Sequence, residues 1–202
     1  MPTVVRCARD RDVPYLIHLL NVAKLLIQEG FGEEVVVAGL MRDTVEDTDM
    51  ELADIEAEFG LRVAAMVAGA SEPDRRASLG ESQVAYIDSI AGASEEVLWI
   101  ICADKLDNIR SLREGLQRTG TALWTRFNRL QPAPRRRYYR TLLAQLEQRL
   151  GGVSLVVQLR KEIAAVLAVE EDTLKAMTHR PGGEYGFLRR PPSFSRLWHF
   201  CA

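Results

Sequence analysis

Residues 97–103 read Val97-Leu98-Trp99-Ile100-Ile101-Cys102-Ala103, and the next residue is Asp104. A run of that kind, helical and apolar on every side, has to be wrapped by other elements. The carboxylate that closes the run is buried in the same surroundings. A buried carboxylate without a partner is costly, so a cation is expected beside Asp104. A second run without charge, Val35 to Met41, leads in the same way to Asp43. Asp43, Glu46 and Asp47 fall at i, i+3 and i+4, on one face if the stretch is helical, where like charges repel unless a cation is held between them. Two such helices crossing at their carboxylates, with a histidine on a third, would make a divalent-metal site of mixed nitrogen and oxygen ligands. Arg42 stands immediately before Asp43, where a further ligand would be wanted.

The rest of the chain reads as helices. The first spans about 14–29, with Asp12 as its cap, Pro14 in its first turn and Gly30 at its end. Its core face is Leu16, Leu19, Leu20, Ala23, Leu26 and Ile27, with His18, Asn21, Lys24 and Gln28 as a polar stripe opposite. A second helix covers about 33–47. Asp49 is expected to cap a third, with Leu52, Ile55 and Phe59 inward and Gly60 as its stop. Leu61–Ala70 is a fourth, followed by a loop at 71–74 and a helix over about 81–91. Ser94, with Glu95 and Glu96, opens the long helix that contains Asp104 and reaches about Gln117. Helix is expected again over 121–130, a break at Gln131-Pro132-Ala133-Pro134, a helix over 135–150 and one or two more within Val153–Met177. No strand pattern emerges, so the class is all-α. The organisation is an arm at 1–13, a helical core at 14–150, additional helices at 151–177 and an irregular tail at 178–202 carrying Pro181, Gly182, Gly183, Pro191 and Pro192.

Composition narrows the function classes. With 47% hydrophobic residues, 27% charged and a net charge of -2 over 202 residues, the chain is an ordinary globular one and not a whole-protein polyanion binder. Residues 126–150 hold seven arginines, one glutamate and two tyrosines. Tyr138, Tyr139, Leu142, Leu143 and Leu146 read as packing positions, which argues against nucleic acid, while guanidinium groups suit substrate phosphates. No run approaches the roughly 18–20 apolar residues of a membrane span, and the N-terminus has no secretory h-region. Cys7, Cys102 and Cys201 are odd in number and far apart. They read as free thiols in a reducing compartment, with the cytoplasm as the default. Trp99, Trp124 and Trp198 are expected in the core or in tail docking, and Asp107 at the surface.

Three separated segments agree in order and spacing with a known family: Pro14-Tyr15-Leu16-Ile17-His18; Asp43-Thr44-Val45-Glu46-Asp47-Thr48 with Phe59-Gly60; and Ala103-Asp104-Lys105-Leu106-Asp107-Asn108-Ile109-Arg110. Over about residues 12–150 the chain resembles the HD-domain phosphohydrolases, specifically the hydrolase domain of RelA/SpoT-type alarmone enzymes and their small stand-alone relatives. Arg126-Phe127-Asn128 and Tyr138-Tyr139-Arg140 extend the likeness. The resemblance implies an HD-domain helical bundle around one metal ion, usually manganese. It also implies removal of pyrophosphate from the 3′ position of (p)ppGpp by a metal-activated water. Carried over, the metal ligands are His18, position 42 with Asp43, and Asp104. Glu46 and Asp47 match the acidic pair that activates and positions the water, and Asn108 matches a nucleotide contact. Lys105, Arg9 and Arg11 are further substrate-binding positions, although the usual helix before the first motif and the basic loop that helps grip phosphates are lacking, the two arginines being read as a remnant of that loop. His179 and His199 are the other histidines, both in the tail.

Besides that missing helix and loop, two further departures from the family pattern bear on activity. Position 42 is Arg, whose guanidinium has no lone pair to give and stays charged. The segment after the Phe-Asn pair, glycine-rich in relatives, is Arg129-Leu130-Gln131-Pro132-Ala133-Pro134. Two readings follow. In one, the chain is a metal-dependent phosphohydrolase of the alarmone type. In the other, it is a catalytically impaired member that binds a nucleotide or acts as a regulatory module. For Asp104, metal ligation competes on equal terms with a buried salt bridge to Arg42.

Overall fold

A computed structural model describes residues 15–71, 79–119 and 132–178. Among these residues there are nine helices and no strand, so the all-α expectation holds. They are α1 (Leu16–Gln28), α2 (Glu33–Met41), α3 (Thr44–Asp47), α4 (Leu52–Phe59), α5 (Leu61–Ala70), α6 (Leu79–Gly92), α7 (Glu95–Thr119), α8 (Pro132–Leu150) and α9 (Ser154–Thr178). The expected arm, the helix at 121–130 and the tail from 179 lie outside the described residues, as do Arg9, Arg11, His179, His199, Trp124 and Trp198.

Helix α7 is the axis. Val97, Leu98, Ile100, Ile101, Cys102, Ala103 and Leu106 are all buried, as a helix apolar on every side requires. Its neighbours are α1, α2, α5, α8 and α9. Ser94 starts it, its hydroxyl accepting the Val97 N–H at 3.3 Å, and Glu95 and Glu96 complement the positive end of the helix dipole. Two crossings depend on glycine for closeness. A Cβ on Gly39 of α2 would meet Leu26 Cδ1 of α1 at 2.6 Å, and one on Gly69 of α5 would meet Val97 Cγ2 of α7 at 3.0 Å. On the other side of α7, Leu155, Val156, Leu159, Ile163 and Val166 of α9 form one buried stripe, and Tyr138, Tyr139, Leu142 and Leu146 of α8 form another. Trp99 is half-buried and packs on Phe31, ring centroids 4.9 Å apart.

Several local expectations are corrected. Helix α1 buries Ala23 and Leu26 of the expected face but is rotated: His18, Val22 and Leu25 are buried with them, whereas Leu16, Leu20 and Ile27 are exposed. Polar partners waiting on α7 draw His18 and Asn21 in, and the rotation leaves leucines outside. The expected helix over 33–47 is two helices with a break at Arg42 and Asp43. There the Arg42 carbonyl accepts the Ser71 hydroxyl at 3.1 Å, so the end of α5 ties down the turn. Helix α4 begins after Glu51 and not after Asp49. The Glu51 N–H donates to the Asp54 carboxylate at 2.8 Å, and of its expected inward residues only Ile55 is buried, Leu52 and Phe59 being exposed. Gly60, with φ of +89°, joins α4 to α5 in a conformation that favours glycine. Pro132 starts α8 and does not precede it; proline is well suited to a first helical position because its missing N–H would have no helical partner there.

Candidate functional site

The break between α2 and α3 carries Arg42 and Asp43 against the buried middle of α7, and the start of α1 lies over the same point. His18, Asp43 and Asp104 each offer a ligand atom there, all within 4.8 Å of one another. By distance this is a possible metal site. Helical spacing explains why the α7 side is so rich: Asp104, Asp107 and Asn108 share a face at i, i+3 and i+4. The Asn108 side-chain NH2 donates to Asp104 Oδ1 at 3.3 Å. Asp107, expected at the surface, is buried. Its Oδ2 lies 2.8 Å from His18 Nδ1, and its Oδ1 accepts the Asn21 amide at 2.9 Å. Only the partners on α1, 86 and 89 positions away in the chain, explain its burial.

Arg42 is the residue that defines the electrostatics. It is buried, and its guanidinium bridges two carboxylates, one nitrogen 2.7 Å from Asp43 Oδ1 and another 2.5 Å from Asp104 Oδ2. Lys105 is buried as well, its Nζ 3.3 Å from Asp104 Oδ2 and 5.0 Å from the centre of the Tyr86 ring. Burial alone would raise the Asp104 pKa, but Arg42 first, then Lys105 and His18, hold it well below the usual carboxylate range. For Arg42, burial works toward a lower pKa and is outweighed by Asp104 and Asp43. His18 follows the same pattern: burial lowers its pKa, hydrogen bonds to Asp104 and Asp107 outweigh that, and the ring is raised to about 9. The Tyr15 hydroxyl donates to Asp43 Oδ2, and burial together with the Asp43 charge pushes its pKa up.

These residues, as folded, do not fit a divalent ion. Arg42 offers no lone pair, and its fixed positive charge lies against the two carboxylates that would hold the metal. Both ring nitrogens of His18 face carboxylates, Nε2 at 3.0 Å from Asp104 and Nδ1 at 2.8 Å from Asp107. A ring that donates at both nitrogens has no lone pair left for a metal. Three cationic side chains, His18, Arg42 and Lys105, stand against three carboxylates, Asp43, Asp104 and Asp107, so the charge is already closed.

Glu46 on α3 is half-buried and lies close enough to add to the field on Arg42. Asp47 ends α3. Asn108 is at the centre's edge, whereas Lys105 is turned into it. Cys102 is a core residue, its thiol pushed up to about 12 by burial. Sequence reasoning missed the part played by Asn21. The signal was its spacing of three from His18, which puts both on the side of α1 that meets α7.

The sequence pattern of the HD domain matches residues 5–130. The chain is 37% identical over 106 residues to the guanosine-3′,5′-bis(diphosphate) 3′-pyrophosphohydrolase of Aquifex aeolicus, which covers 52% of this chain and 15% of that protein. It is 36% identical over 112 residues to the enzyme of the same name from Danio rerio, covering 53% of this chain and 62% of that one. The chain thus spans less than two thirds of either relative. Among solved structures, a Listeria monocytogenes protein aligns with a TM-score of 0.67 at 33% identity, covering 76% of this chain and 97% of that one. A metazoan orthologue of SpoT that hydrolyses ppGpp aligns with a TM-score of 0.60 at 28% identity, covering 76% and 82%. Among the described residues no helix is long and apolar enough to cross a membrane. The chain belongs to the HD-domain family and is related to the (p)ppGpp 3′-pyrophosphohydrolases.

Proposed function

We propose that this chain receives a guanosine nucleotide of the (p)ppGpp kind over the centre formed by His18, Asp43 and Asp104, and acts on its 3′-pyrophosphate as its relatives do. One observation carries the reading: these three side chains, brought from α1, the α2–α3 turn and α7, meet within 4.8 Å. Asn108, at the edge of that point, is the nucleotide contact. By the family resemblance, Glu46 and Asp47 are the residues that position the attacking water and accept its proton, chemistry that carboxylates supply. Arg9 and Arg11 grip phosphate, and Lys105 sets the field from inside by neutralising Asp104. Manganese is the ion that the family resemblance implies for activating such a water, and the Arg42 ion pairs with Asp43 and Asp104 stand against its binding here. A cytoplasmic setting suits the free thiol of Cys102.

A second reading, nucleotide binding without turnover, is favoured by the ion pairs that Arg42 makes with Asp43 and Asp104. One experiment separates the two: binding of ppGpp at equilibrium, followed by pyrophosphate release with manganese present. The first reading expects both binding and release. Binding without release selects the second, and absence of binding sinks both.

A further inference from the structure

We infer that Arg42 is the resident cation of this centre and that a divalent ion and the Arg42 side chain exclude one another. The inference rests on reading the centre as the family's metal position, and it adds what holds that position when no ion is there. Arg42 is buried to 4% exposure, and its guanidinium contacts the two carboxylates that belong to the candidate metal group. A side chain enclosed to that degree cannot share those oxygens with an ion a few ångströms away. At such a separation, repulsion between its fixed charge and a divalent ion is large in any medium less polar than water.

The fit is electrostatic more than geometric. Arg42 Nε is buried and has no hydrogen-bond partner, and the close contacts of its Nη1 and of Asp43 Oδ1 and Asp104 Oδ2 fall outside hydrogen-bond alignment. Guanidinium normally meets carboxylate in parallel, well-aligned pairs. At this point it supplies charge without that match. The carboxylates would accept a different cation if Arg42 were removed. Histidine at this position would both restore a lone pair and withdraw a charge.

The test is calorimetric titration of manganese(II) into the full chain, wild type against Arg42→His and Arg42→Gln, with melting temperatures in manganese and in chelator alongside. Arg42→His is expected to bind one manganese at least about 100-fold more tightly than wild type, and Arg42→Gln at least about 10-fold more tightly, since each removes the opposing charge and imidazole is a stronger ligand than an amide oxygen. The wild-type melting temperature is expected to be the same in manganese and in chelator. Wild-type binding within about threefold of Arg42→His overturns the inference, because a charge opposing the ion must weaken it by more than that. So does failure of both folded variants to gain affinity. Should the variants not fold, a wild-type melting temperature raised by stoichiometric manganese still overturns it. If Arg42→His gains manganese but does not bind ppGpp, the inference stands and the nucleotide reading fails.

Discussion

Among the described residues, Arg42 and Arg62 each stand between two carboxylates. Arg42 bridges Asp43 and Asp104 at the crossing of the α2–α3 turn with α7, and Arg62 on α5 bridges Glu34 on α2 and Glu96 on α7. The chemistry is the same and the surroundings are opposite. The Arg62 side chain is 59% exposed and its partners are exposed, whereas Arg42 and its partners are buried. In water the charges of Arg62 are solvated with or without their partners, so the bridge adds little. Around Arg42 no solvent is available to replace a lost partner, so each charge depends on the others. Burial, and not the ion-pair list, decides which bridge matters.

The sharpest way to break this contrast is Asp104→Asn. It leaves Arg42, Lys105 and His18 facing a neutral amide, and unfolding in urea should show a loss of about 3–5 kcal/mol. A loss no larger than that of an exposed pair would contradict it. The second effect is pH dependence. Because the folded pKa of His18 is raised to about 9 from 6.5, its contribution is fully present below pH 6.5 and is lost as pH rises through about 9. Stability should therefore fall across that interval by on the order of 3 kcal/mol at most. His18→Gln should flatten that part of the profile, and a slope unchanged by the variant would rule His18 out as its source. Third, Asn21→Ala removes the amide bonded to Asp107 at 2.9 Å and should cost about 1 kcal/mol in the same assay. The smallest effect belongs to Arg62→Ala, for which no resolvable change in melting temperature is expected.

What could be read in advance divides along the same line. The apolar run before Asp104 names its own burial, because a helix with no polar side cannot lie at a surface. Leu61–Ala70, between Gly60 and Ser71, is bounded by local signals and appears with those ends. The inward face of α1 was legible only in part, at Ala23 and Leu26. With Leu16, Leu19, Leu20, Val22, Leu25, Leu26 and Ile27 distributed around the helix, apolar spacing allows more than one face. The choice is made by Asp104 and Asp107, which take His18 from far along the chain. For the same reason Asp107 read as a surface residue, since nothing next to it in sequence shows the histidine and asparagine that bury it. The break at Arg42 and Asp43 escaped because both residues are compatible with helix. It is tertiary contact, with Ser71 at the carbonyl and Asp104 at the guanidinium, that goes with the turn. Arg42 itself was visible as an anomaly in an otherwise familiar motif, and a salt bridge to Asp104 stood as the alternative to a metal; the structure shows it engaging Asp104 and Asp43 together.

Elemental analysis of the purified, folded chain after equilibration with manganese and removal of free ion tests the account most directly. If the Arg42 guanidinium closes the charge of the centre, the protein will carry no stoichiometric manganese, iron or zinc. One tightly held ion per chain would show that Asp43, Asp104 and His18 bind metal in spite of Arg42, and would contradict it.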